Sequence, residues 1–140
     1  MAGVGAGYGL ARTRDAEGTF AAYTAVIKGT GANQAKAPGG ANVAALGIAQ
    51  DKGDDGVVSG DLKFRQVAVV SQGPAKATAG GNVAIGQPLK IEGVTGKLIA
   101  VGGEGADLTV NVVAIAQSPG ADTDIIDVDV QPYIFTTESA

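Results

Sequence analysis

The sequence predicts an all-β domain, a small sandwich or barrel-like structure. Three observations carry this. Short apolar runs are punctuated by Gly, Pro, Asn and Asp turn signals at spacings of roughly 8–12 residues. No stretch of ten or more residues shows convincing helical amphipathicity, so at most one or two short helical turns are expected. A hairpin-like unit occurs twice: "NVAALGIAQDKGDDGVV" from Asn42 to Val58 and "NVVAIAQSPGADTDII" from Asn111 to Ile126. Each copy begins Asn-Val, closes on Ile-Ala-Gln, enters a short acidic turn and re-emerges in aliphatic residues.

Along the chain, residues 1–18 are Gly- and Ala-rich, with Tyr8 and Leu10 as their large apolar side chains and Arg12 and Arg14 close behind. This composition is expected to form a flexible N-terminal arm ahead of a single domain spanning 19–140. "TFAAYTAVIKG", from Thr19, is rich in β-formers and predicts a strand, followed by the loop "TGANQAKAPGG". Residues Asn42 to Gln50 are apolar at both alternations, the pattern of a strand covered on both sides. The turn "DKGDDG" then tolerates left-handed conformations and caps its own backbone. In "VVSGDLKFRQVAVVS", Leu62 and Phe64 share one phase and Val67 and Val69 the other. The slip near Gln66 is the signature of a β-bulge. Short strands follow, broken by Gly-Gly, Gly-Gln-Pro and Val-Thr-Gly, with Leu89 and Ile91 on one side and Lys90 and Glu92 on the other. Thr109 to Gln117 is again apolar on both faces. "IIDVDVQ" alternates cleanly: Ile126, Val128 and Val130 toward a core, Asp127 and Asp129 toward water. Pro132 lacks a ladder donor, so this strand is expected at an edge or to end there.

The core material is small. The 140 residues hold 25 Ala, 23 Gly and 16 Val, but 6 Leu and 6 aromatics. At about 25 cal/mol per Å² of buried apolar surface, such side chains give a thin core. Some apolar surface is therefore expected to find its partner on another chain. Net charge is -4, unevenly laid out. Residues 1–102 carry all ten Lys and Arg, whereas 103–140 carry seven acids and no base. The acidic third argues against nucleic acid as a partner, because phosphate neutralisation needs clustered cations. No apolar run approaches the ~20 residues of a membrane-crossing helix. The N-terminus does not read as a signal peptide, so a product of the cytoplasm with no cleaved leader is expected.

Chemistry is sparse. Without histidine or cysteine, a serine or cysteine nucleophile has no usual base, and no thiolate site exists. Ser59, Ser71, Ser118 and Ser139 do not stand in Ser-x-x-Lys. "DTDIIDVD" (Asp122 to Asp129) fails the EF-hand order, with Ile126 and Asp127 where a ligand and a glycine belong. "GGEGADLTV" resembles one Ca²⁺ β-roll repeat, except that Thr109 occupies the apolar position, and that motif works only in stacked copies. "GVGAGYG" and "GVTGKL" lack the spacing of phosphate loops. The expectation is a protein that is not an enzyme, with no catalytic residue, cofactor or metal.

The stretch from about Thr24 to Val130 resembles the head decoration, or capsid cement, proteins of tailed bacteriophages. The likeness rests on "GGANVAALGIAQDKGDDGVV", "TAGGNVAIGQPLKI", "GKLIAVGG" and "VNVVAIAQSPGADTDIIDVDV". In that family a small-Gly-Ile/Val-Ala strand, an acidic turn and a Val-x-Val strand occur twice. Here they are Leu46-Gly47-Ile48-Ala49 with Val57-Val58, and Val113-Ala114-Ile115-Ala116 with Ile126-Asp127-Val128. Ala114 stands where the first copy has Gly47. The resemblance implies a β-tulip-like fold and a homotrimer on the capsid exterior at three-fold and quasi-three-fold positions. There it would stabilise the shell as a structural virion protein, with the major capsid protein as partner. Tyr8, Leu10, Arg12 and Arg14 are the expected contact side chains, being types that supply interface energy. The competing expectation is a cell-surface or fibre-associated β module that binds carbohydrate or a neighbouring subunit.

Overall fold

A computed structural model describes residues 10–137. Eleven strands follow one another: β1 (Leu10–Ala16), β2 (Thr19–Phe20), β3 (Thr24–Lys28), β4 (Gln34–Lys36), β5 (Gly47–Ala49), β6 (Gly53–Asp54), β7 (Gln66–Thr78), β8 (Pro88–Ile91), β9 (Leu98–Ala100), β10 (Thr109–Ala116) and β11 (Ile125–Thr136). Among the described residues there is no helix. The expected all-β architecture is the one observed.

Five strands close on themselves in the order β1-β4-β3-β5-β7, with β7 pairing back onto β1. Closure removes the open edges that this half would otherwise present. Its interior holds Ala16, Phe20, Val26, Ala35, Ala49, Val67 and Val69. With mostly Ala and Val available, the barrel stays narrow. From β7 a second sheet continues as β11-β10-β8-β9. Its inner side packs Leu89, Ile91, Leu98, Val113, Ile126, Val128 and Val130 against Ala25, Ile48 and Val70 on the barrel wall. The fold is thus a small barrel with a sheet laid on its flank.

One strand belongs to both halves. Residues up to Gln72 of β7 pair with β1, and Gly73 onward pairs with β11. Gly73 sits at φ +96, a conformation that glycine adopts without a steric penalty, and Pro74 follows. The strand corners there. Gln50 donates its backbone N–H to the Ala68 carbonyl at 2.9 Å, while its side chain brackets the backbone of Lys76 at 3.1 and 3.2 Å. One residue spans both arms of the corner.

Several expectations are corrected. The supposed arm contributes β1: Leu10–Ala16 form a ladder with β7 from Leu10–Gln72 to Asp15–Gln66. The domain therefore starts no later than Leu10 rather than at Thr19. Main-chain ladder bonds hold β1, which is why its sparse apolar content did not reveal it. Residues 1–9, with Tyr8, lie outside the described residues. The strand expected from Thr19 is split by Tyr23, at φ +60, into β2 and β3. The following loop contains β4. The bulge lies not near Gln66 but at Ser71, where the register passes from Ala11–Val70 to Leu10–Gln72. Of the two expectations for Pro132, the edge is the one observed: beyond Val130, β11 pairs with β10 alone and does not end at the proline. It runs on to Thr136, because the proline falls in a bulge.

The sequence repeat is real but unequal. Gln50 and Gln117 each reach back to the carbonyl two residues earlier, Ile48 at 3.3 Å and Ile115 at 3.4 Å. Each also donates its backbone N–H to the returning strand, at Ala68 and Asp127. In the second copy that return is the direct β10–β11 hairpin. In the first it is β7, reached only after residues 51–65, and Val57-Val58 form no strand.

Candidate interaction surface

Past the Gly73–Val130 pair, β7 leaves β11, and past the Ala114–Leu89 pair, β8 leaves β10. The two remaining strands project as a ribbon. At its root the register shifts from Ala114–Val130 to Val112–Tyr133, so Val113 faces both Gln131 and Pro132. The bulge absorbs the missing N–H of the proline and allows the ladder to resume. Tyr133 and Phe135 then stand on one face, ring centroids 6.4 Å apart, opposite the buried Val112 and Val110. Ile134 points to the other face, opposite Asn111. A groove of about 300 Å³ runs along the ribbon between Ala44, Ala45, Val112, Pro132, Tyr133 and Ile134.

The outer edge of β10 is held by the first repeat. The Asn42 amide nitrogen donates to the Thr109 carbonyl at 2.8 Å, and its oxygen accepts the Asn111 N–H at 2.9 Å. The Asn111 side chain donates in return to the Asn42 carbonyl at 2.9 Å. The two Asn-Val starts of the repeat therefore meet each other. Asn42 sits at φ +55, which asparagine tolerates better than most residues.

A second exposed feature is the loop between β6 and β7. Asp55 accepts N–H bonds from Gly18 (2.7 Å) and Val57 (2.9 Å), and these bonds hold its carboxyl below the ordinary range. Ser59 and Asp61 accept from Asp61 and Lys63 at 3.0 Å each. At the tip of this hydrogen-bonded loop Val57 and Val58 are 82% and 94% exposed. Lys52 lies 4.6 Å above the Phe64 ring.

Ser139 lies outside the described residues, and the following acidic and hydroxyl groups singled out from the sequence have structural partners. Asp122 pairs with Lys97 at 3.6 Å, Asp127 with Lys76 at 2.7 Å, and Asp124 accepts the Ala121 N–H at 2.9 Å. Asp129 accepts from the Gln131 side chain. Glu104 bonds Lys90 in a largely covered pair, which holds its carboxyl below the usual value. Ser71 donates to the Leu10 carbonyl at 3.4 Å, and Ser118 accepts the Asp127 N–H at 2.9 Å. Among the described residues, no group of three or more carboxylates is placed to hold a metal ion.

Of the contact residues expected in the arm, Tyr8 lies outside the described residues, and Leu10, Arg12 and Arg14 stand at alternate positions along β1, on one face of the strand. Leu10 is exposed at the start of β1. Arg12 and Arg14 stand opposite Val69 and Val67 of β7 in the ladder. Arg14 is half-buried and reaches Asn33 at 3.5 Å. The sequence reading left open whether the strand stops at Pro132, so the ribbon beyond it was not identified. The uncharged run from Val130 to Thr137 was its available signal.

No family model and no curated protein matches the chain. Among solved structures, the fold is similar to the head fiber gp8.5 N base of bacteriophage phi29. The TM-score is 0.63 at 14% identity, covering 89% of this chain and 95% of that one. At that identity the likeness is one of fold.

Proposed function

We propose that the protein is a structural component of a bacteriophage head, attached to the outside of the assembled capsid as a homotrimer and bracing the shell. The observation that carries this reading is the fold likeness to the head fiber N base, which spans nearly the whole of both chains. The phage-head character of the sequence resemblance points the same way independently. Exposed apolar features with satisfied polar groups also suit a protein whose task is contact. The partner is the major capsid protein, with Tyr8, Leu10, Arg12 and Arg14 supplying contacts. A protein that binds only the assembled lattice stabilises that state by mass action. Three joined copies add effective concentration, so each patch can be weak.

The fibre-base neighbour also favours a second reading, in which the module seats a fibre or neighbouring subunit on the head. Cosedimentation with empty shells, assembled from the capsid protein of the same genome, tests the main reading. Saturable binding to shells, and none to unassembled capsid protein, is expected. Equal binding to both, or none to shells, would overturn it. Light scattering should give three times the 13.7 kDa chain mass.

A further inference from the structure

We infer that the β10–β11 ribbon is the surface through which copies of this chain associate. This rests on the self-association included in the proposed function and names the site for it. The ribbon combines three properties. First, beyond Val130 the free edge of β11 has no strand partner among the described residues. Exposed edges of this kind are usually blunted by charges, by proline or by a bulge. Here Pro132 and the bulge protect only the root, and 133–136 extend past them.

Second, the surface is charge-free. No ionisable side chain except the Tyr133 phenol occurs at 108–113 or 130–137, in a chain whose final third is otherwise acidic. Each copy carries a net charge of -4. At the ribbon copies can meet about a symmetry axis without opposing like charges, and the same patch can serve every copy. A partner chosen by charge complementarity would find nothing to read there, which favours the chain itself.

Third, the ribbon carries large exposed apolar side chains. Leu108, Tyr133, Ile134 and Phe135 are 49%, 43%, 64% and 36% exposed. At ~200 Å² for a large apolar side chain they offer about 400 Å². That is about half of what each partner gives to a stable interface, and the main-chain groups of the open edge add pairing to it.

Sedimentation of the full chain across the micromolar range tests this, with Ile134→Lys and Leu108→Lys as ribbon variants. Ile85→Lys is the control, since Ile85 is 66% exposed outside the ribbon. The wild type and the control should associate alike, while the ribbon variants weaken association at least about tenfold, an ammonium being left unpaired in the interface. Unchanged melting of the dilute variants certifies their fold. Association that persists in both ribbon variants would overturn the ribbon and leave self-association standing. A monomeric wild type would overturn the inference, and loss of melting temperature in its ribbon variants would then place other residues of the same chain on the ribbon. A chain that associates through the ribbon yet ignores shells would overturn only the proposed function.

Discussion

Replacing Asn42 by Ala tests the joint between the two repeats. The substitution deletes both amide bonds, to Thr109 and from Asn111. Each is worth about 1 kcal/mol net, and the Asn111 N–H loses its acceptor. Alanine at φ +55 adds about 1 kcal/mol of backbone strain. The expected loss is about 3 kcal/mol. For a domain of this size that lowers the melting temperature by about 12 °C. Asn42→Gly removes the same bonds but accepts the backbone, so its loss should be about 2 kcal/mol. Asn111→Ala removes the reciprocal bond to the Asn42 carbonyl. Because these residues share a network, the double variant should fall short of the sum by at least about 0.5 kcal/mol. Urea unfolding of the four proteins measures all of this. Equal losses for Ala and Gly would refute the strain argument. A loss under about 1 kcal/mol would refute the joint itself.

Gly47→Ala should cost about 3 kcal/mol or more in the same assay, because an added Cβ would lie 2.4 Å from the Val70 carbonyl oxygen, a backbone atom that cannot swing away. Deleting residues through Ala16 should abolish cooperative unfolding in calorimetry, since it opens the barrel by removing β1; a retained sharp transition would return that segment to the role of an arm. Glu17, Asp55 and Glu104 have carboxyls depressed by bonds from the Thr30 N–H, the Val57 N–H and Lys90 respectively. Folded values below the unfolded ones mean a contribution fully present above the reference values of 4.5 for Glu and 3.8 for Asp, and lost as pH falls through the folded values. Melting temperature should therefore hold from neutral pH to about 5 and drop in the acid range below 4, with Glu104→Gln making the drop shallower.

What could be read in the sequence followed side-chain periodicity. Ile126, Val128 and Val130 alternate with Asp127 and Asp129, and all three are buried as the period-two rule requires. Leu89 and Ile91 obeyed the same rule. The Asn-Val starts and Ile-Ala-Gln ends marked real structural equivalences. What escaped depended on the main chain. β1 reads "LARTRDA", with three charges in seven residues and only Ala16 buried, because ladder bonds rather than packing hold it. Asn42, at positive φ, breaks the strand expected from its apolar neighbours, leaving only Gly47–Ala49 extended. The corner at Gly73 was invisible because its meaning lies in Gln50, 23 positions earlier in the chain. The ribbon escaped for a related reason: a proline ends a strand only where its nitrogen faces a partner, and a bulge took that duty away.

The shared strand β7 also dictates a timetable. Its ladder with β1 joins residues 51 to 62 positions apart, from Asp15–Gln66 to Leu10–Gln72. The β10–β11 hairpin closes over a short turn and needs nothing upstream. Loop-closure entropy makes such distant pairing slow, on the order of milliseconds to seconds. A chain leaving the ribosome can pair β1 with β4 early, at Asp15–Gln34 and Ala16–Ala35, but the barrel seals only once β7 has emerged. The hairpin at the other end is synthesised last and closes locally once it has emerged. The slow step of folding therefore falls on the barrel seam, where the distant β1–β7 pairing must close, rather than on the local hairpin.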